Sequence, residues 1–213
     1  MTDLRIRIAP TTRLLGAVLL MASAVAPALA ADPKPAAGST KAAPAEEPTT
    51  TILSDTLHYD DVKKQSVFTG NVNMTRGLMT LTSDVLEMRE DAAGNQYGTA
   101  TANKGKVVTI RQERPETFEL IEGKGLRAEY DGTKSTFDLI GQAVVVRYVC
   151  GKPFDTIRGD RVRYNEKSGT YEAQGGPNSA AAGGRVRSVA EPRAKSDAAV
   201  AECRKQQESK KGR

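Results

Sequence analysis

The sequence predicts an all-β fold assembled from repeated antiparallel hairpins, and three observations lead there. First, one unit recurs four times. Leu57-His58-Tyr59-Asp60 is followed by Gly70 eleven residues after the tyrosine, and Leu86-Glu87-Met88-Arg89 leads to Gly98 at plus ten. Ala128-Glu129-Tyr130-Asp131 leads to Gly141 and Val162-Arg163-Tyr164-Asn165 to Gly175, both at plus eleven. An alternating strand, a polar turn and a second strand ending at a bend or bulge glycine make such a unit. Second, apolar residues alternate with polar ones at period two, as in Phe68, Val72 and Met74 against Thr69, Asn71 and Asn73. Third, tryptophan is absent, aromatics are 5% and the hydrophobic residues are mostly Val, Leu, Ile and Met. A sheet can use such thin apolar material. The uneven offsets between copies describe a degenerate repeat rather than a strict solenoid.

Taken in order, the 213 residues begin with Arg5, Arg7 and Arg13, an uncharged run from Leu14 to Ala26, and Ala28-Leu29-Ala30. That is the pattern of a secretory signal, with cleavage expected after Ala30. A retained anchor is the competing reading; the short apolar run, Pro27 and the Ala-x-Ala end favour cleavage. Residues 31–50 are Pro, Ala, Lys, Glu and Thr without an apolar period, which describes a disordered linker.

Period two starts at Ile52, and its slip before Leu57 predicts a bulge near Ser54-Asp55. Met79 and Leu81 alternate with threonines, and Asp91 to Asn95 is a turn cluster. Val107, Val108 and Ile110 form another strand, which Arg114-Pro115-Glu116 breaks. Leu120-Ile121 enters the third unit, where Phe137 and Leu139 alternate with Asp138 before the run Val144-Val145-Val146. Position plus nine is apolar in every unit: Phe68, Tyr97, Leu139 and Ala173. Lys167-Ser168-Gly169 makes the last hairpin loop, and Arg185 to Val189 adds one edge strand. Residues 191–213 form a charged tail, read as disordered, with a transient helix over 195–207. The folded domain is therefore expected over 51–190.

The net charge is +5 and the isoelectric point about 9.2, with a mean hydropathy of −0.46. The first 30 residues contribute +2 and the stretch from Arg185 onward +5, which leaves residues 31–184 at −2. The sheet itself is not basic, and no nucleic-acid partner is expected.

Catalytic material is scarce. His58 is the single histidine, and no Cys-x-x-Cys occurs, so zinc sites and imidazole triads lack their parts. Gly132-Thr133-Lys134-Ser135 lacks the glycines of a phosphate loop and fits a hairpin turn. Asp60-Asp61 and Glu90-Asp91 sit where turns need acidic residues. The chain is read as a non-enzyme without cofactor or metal. Cys150 and Cys203 are a candidate disulfide, because an exported chain meets an oxidising compartment. Bonded, they would clip the tail to the sheet edge; the other reading is a buried Cys150 and a free Cys203.

Several stretches together resemble the OstA-like family: Ser54-Asp55 with Phe68-Thr69-Gly70-Asn71-Val72, Ser83-Asp84, Ile121-Glu122-Gly123, Leu139-Ile140-Gly141-Gln142-Ala143, and Arg158-Gly159-Asp160 with Val162 and Tyr164. The resemblance implies an incomplete, V-shaped β jelly roll whose apolar interior holds the acyl chains of lipid A, bridging inner and outer membranes as a periplasmic lipopolysaccharide carrier. The implied partners are lipopolysaccharide, an LptC-like inner-membrane protein, an LptD-like outer-membrane translocon and further copies joined end to end. The candidate lipid-binding residues are Ile52, Phe68, Val72, Met74, Leu81, Met88, Ile110, Tyr130, Phe137, Leu139 and Tyr164. The rival readings are a membrane-anchored LptC-like relative and a structural periplasmic β protein with a dry core.

Overall fold

In the computed structural model, which describes residues 48–211, four long strands carry the architecture. The strands are β1 (Thr50–Leu53), β2 (Thr56–Asp60), β3 (Gln65–Arg76), β4 (Met79–Glu90), β5 (Gln96–Thr101), β6 (Val108–Arg114), β7 (Glu119–Gly125), β8 (Arg127–Asp131), β9 (Thr136–Val149), β10 (Lys152–Asn165), β11 (Thr170–Gln174) and β12 (Arg187–Val189), followed by helix α1 (Arg193–Lys211). The expected export signal, and all but the end of the expected linker, lie outside the described residues.

β3, β4, β9 and β10 each pair with different neighbours along their two halves. β3 takes β2 against Gln65–Thr69 and β1 against Asn73–Arg76. β4 takes β6 over Met79–Thr82 and β5 over Val85–Glu90. β9 takes β8 over Thr136–Ile140 and β7 over Val144–Val149. β10 takes β12 over Thr156–Arg158 and β11 over Arg161–Asn165. One continuous antiparallel ladder thereby becomes two walls. Sheet I runs β2-β3-β4-β5-β8-β9-β10-β11, and sheet II runs β1-β3-β4-β6-β7-β9-β10-β12.

The corner between the walls is built from left-handed residues and register slips. In β3, Gly70 (φ 82°) and Asn71 (φ 46°) sit in the slip between Thr69 and Val72. In β9, Gly141 (φ 72°) and Gln142 (φ 50°) do the same, opposite a slip between Gly159 and Arg161 of β10. Such bulges bend a strand and strengthen its twist. Two of the four repeat glycines thus act as expected. Gly98, by contrast, lies inside β5 and Gly175 beyond the end of β11. Those short strands belong to sheet I alone and have no corner to turn. The expected bulge at Ser54-Asp55 is a full break between β1 and β2, held by the Asp55 N–H donating to the Gly70 carbonyl at 2.9 Å.

The acidic member of the repeat is explained by its turn. Asp60, Asp131 and Asn165 each accept a hydrogen bond from the backbone N–H three residues on, at Lys63 (2.9 Å), Lys134 (3.1 Å) and Ser168 (3.0 Å). Lys64, Ser135 and Gly169 then take left-handed conformations (φ 50°, 53° and 67°). Three hairpins share one turn chemistry. The second unit differs. Asp91 accepts from the Ala93 and Asn95 N–H groups, the Asn95 side-chain amide and the Tyr97 hydroxyl. Tyr97 consequently pairs with Arg89, whose guanidinium lies 3.8 Å from the ring centre, instead of joining the row of the other plus-nine residues. Ala100 takes that place.

The tail is the clearest departure from the sequence reading. Arg193–Lys211 is a helix rather than disordered chain, with Ser196, Ala199, Val200 and Cys203 as its covered stripe. Spacing of three, four and seven puts these on one face. The stripe is short and weakly apolar, which is why hydrophobic periodicity alone does not announce it. Cys150 and Cys203 are bonded, with Cα atoms 6.1 Å apart.

Candidate ligand groove

Strand register sets apolar side chains in rows across each wall. On sheet I a deep row runs Leu57, Phe68, Leu86, Ala100, Ala128, Leu139, Val162, Ala173, each directly opposite the next. Two residues further from the corner lies a second row: Tyr59, Ser66, Met88, Gly98, Tyr130, Phe137, Tyr164, Tyr171. On sheet II the row facing them runs Ile52, Met74, Leu81, Ile110, Gly123, Val145, Ile157. Leu86, Ala100, Ala128, Leu139 and Val162 are buried, and so are Met74, Leu81 and Val145.

Further out, the walls do not meet. Two adjoining cavities, both open to solvent, share Met79, Ile110 and Phe137 as common lining. The first is otherwise walled by Ile121, Leu139, Val145, Val162, Tyr164 and Tyr171, the second by Met74, Leu81, Leu86, Met88, Ala100, Ala128 and Tyr130. Tyr130 stacks on Phe137 at 4.5 Å and Tyr164 on Tyr171 at 4.7 Å between ring centres. Together the two cavities form one apolar groove.

Polar groups stand at its rim. Gln112, Arg114 and Glu166 border the first cavity and Thr50, Arg76, Gln96 and Glu129 the second. Burial pushes the Glu166 carboxyl up from its ordinary range, against the opposing pull of Arg76. Burial likewise raises the Tyr171 hydroxyl, and neighbouring Tyr164 adds to it. The opposite face of sheet I is held by charge. Asp138 is buried beneath Arg161 and Arg163, which donate to it at 2.9 Å. Burial pushes its carboxyl up, but the two guanidiniums outweigh that and hold it below the ordinary carboxylate value.

Eight of the eleven candidate lipid-binding residues line this groove: Met74, Leu81, Met88, Ile110, Tyr130, Phe137, Leu139 and Tyr164. Val72 is fully buried in the corner core, while Ile52 and Phe68 pack against that core outside the two cavities. Met79, Ile121, Val162 and Tyr171 were not among the candidates. Met79 alternates visibly with threonines, and Tyr171 sits seven residues after Tyr164 across the last turn, so both carried a signal. Nothing local distinguishes Ile121 or Val162 from ordinary core. Among the described residues, no group of three or more His, Cys, Asp or Glu side chains is placed to hold a metal ion.

Two bent sheets enclosing an apolar groove, with a terminal strand at each end of each wall, define an incomplete, V-shaped β jelly roll. The chain belongs to the LptA/(LptD N-terminal domain) LPS transport protein family, whose model matches residues 51–170. Its fold is similar to the crystal structure of LptH from Pseudomonas aeruginosa, described as the LptA-homologous periplasmic component of the conserved lipopolysaccharide transport device. The two chains are 23% identical, with a TM-score of 0.57 and coverage of 68% of this chain and 96% of that one. Comparison with curated protein sequences gives no match.

Proposed function

We propose that this chain is a periplasmic lipopolysaccharide carrier that shelters lipid A acyl chains in the groove and joins further copies, an LptC-like inner-membrane protein and an LptD-like outer-membrane translocon by strand addition. The observation that carries the reading is the division of polarity within the groove. Its buried rows offer hydrocarbon from both walls, and on sheet II the polar residues Thr50, Arg76 and Gln112 stand one row further from the corner than Ile52, Met74 and Ile110, in a chain of a lipopolysaccharide transport family.

An acyl chain of about a dozen carbons left in water costs roughly 9 kcal/mol at ~0.8 kcal/mol per methylene. Moving it from a bilayer into a groove lined by Met79, Ile110, Phe137 and Leu139 exchanges one apolar setting for another, so each step is close to neutral. Met74, Met79 and Met88 suit chains of irregular path, because the unbranched thioether adapts its shape. Direction is supplied by other components. Ile52, Phe68 and Val72 support the wall, and the chain is exported by an amino-terminal signal that is cleaved after Ala30. Open terminal strands are ordinarily an aggregation hazard; here they serve as docking edges.

A photo-crosslinking residue placed at Phe137 and, separately, at Asp138 tests the reading in intact cells. Capture of lipopolysaccharide at Phe137 and not at Asp138 is expected. Capture at neither, in a folded and exported protein, would favour a structural module with a dry interior.

A further inference from the structure

The two walls end differently at their carboxyl-terminal side. Sheet I begins and ends in five-residue strands, β2 and β11. Their inward residues are the end members of the groove's rows and are left uncovered, with Leu57 at 57%, Tyr59 at 54% and Tyr171 at 38% exposure. A second copy that laid its β2 beside β11 would cover those side chains and extend both rows from one molecule into the next.

Sheet II offers no equivalent edge. Its last strand, β12, has three residues and covers only Thr156–Arg158 of the fourteen-residue β10. Beyond Val189 the chain leaves the ladder. The Glu191 N–H donates to the side chain of Asp155 at 2.9 Å, and the other oxygen of that carboxylate holds Arg147 at 2.6 Å. Pro192 then removes a backbone donor, and α1 starts. The helix packs against the end of β9, and Cys203 on its covered stripe is bonded to Cys150 in the β9–β10 turn. The two anchor points, Asp155 and Cys150, lie on either side of the stretch of β10 that β12 leaves unpaired. A short strand that opens on Arg187 and follows Arg185, a proline and a tethered helix are the devices that keep a sheet edge from pairing.

We propose that α1, stapled by the Cys150–Cys203 bond, closes the carboxyl-terminal edge of sheet II and confines addition of a second copy to sheet I, where β11 of one molecule receives β2 of the next. This rests on the strand-addition reading above and adds to it a one-sided junction under the control of a disulfide. In an oxidising compartment the staple persists. Reduction consumes two electrons and two protons from a dithiol donor, yields two thiols and frees the helix from its anchor on β9.

Amide hydrogen exchange of the purified chain at rising concentration, oxidised and after reduction by dithiothreitol, decides the matter. In the oxidised chain β11 and β2 should gain protection while β12 does not change. In the reduced chain, and in Cys203→Ser, β12 should gain protection as well, and sedimentation should show longer assemblies. Protection of β12 in the oxidised chain, or identical behaviour of oxidised and reduced chains, overturns the proposal while leaving strand addition intact. Absence of protection at every edge in every form overturns strand addition and this inference with it. The reduced wild-type arm keeps the test valid if Cys203→Ser fails to fold.

Discussion

Leu139 of sheet I reaches across the groove to Gly123 of sheet II: a methyl group built on that glycine would stand 2.7 Å from Leu139 Cδ1. Gly123 has an ordinary extended backbone, so it is required there for space and not for conformation. The absent side chain is part of the groove. Gly123→Val should force Leu139 into the first cavity, with a cost to stability of roughly 1–3 kcal/mol typical of overpacking. Binding of lipid A, followed by titration, should weaken at least tenfold. Arg111→Ala, at a half-exposed residue that lines neither cavity, should leave binding unchanged.

At the corner, Gly70 is needed for both reasons. Its φ of 82° is left-handed, and a methyl there would meet Asp55, with Cγ at 2.8 Å. Moving Asp55 would also break its bond from the Asn71 side-chain amide at 2.9 Å. Gly70→Ala should therefore cost about 2–4 kcal/mol, of which ~1–2 kcal/mol is the backbone penalty. Gly94→Ala, with φ 81° but open space around it, should show the backbone penalty alone. Urea midpoints of the two variants give the comparison.

Asp91 predicts part of the acid response. Hydrogen bonds from the Asn95 side chain first, then from the Asn95 backbone, Tyr97 and Ala93, hold its carboxyl at about 2 against an ordinary 3.8. A depressed value means the folded state favours the carboxylate. Its stabilisation is complete above pH 3.8 and is lost as the pH falls through about 2. Asp91→Asn should flatten the fall of stability over that interval, measured by urea unfolding at stepped pH.

Reducing the Cys150–Cys203 bond removes a constraint across 53 residues of sequence separation. On the chain-entropy account, a loop of that length contributes about 4 kcal/mol through the unfolded state. Urea unfolding with and without dithiothreitol should show that loss. A rise in the dependence on denaturant should accompany it, because the reduced unfolded chain exposes more surface.

Much of this molecule can be read along the chain because its governing interactions are short in range. The Asx turns of Asp60, Asp131 and Asn165 close within three residues, the left-handed bends fall at Gly70 and Gly141, and period two assigns each strand a buried and a solvent face. The repeat, the all-β class and eight groove-lining residues follow from those rules. What folding alone settles is which half of each long strand meets which neighbour. That choice depends on pairings between residues as distant as Met79 and Gln112, which leave no local pattern. It places Ile121 and Val162 in the groove, sets Gly123 under Leu139, and spares β5 and β11 a corner, so that Gly98 and Gly175 never bend. The tail follows the same principle. Its helix has little apolar periodicity of its own and is held by tertiary anchors, a disulfide to the β9–β10 turn and a hydrogen bond to Asp155, that are remote in sequence and adjacent only once the two sheets have formed.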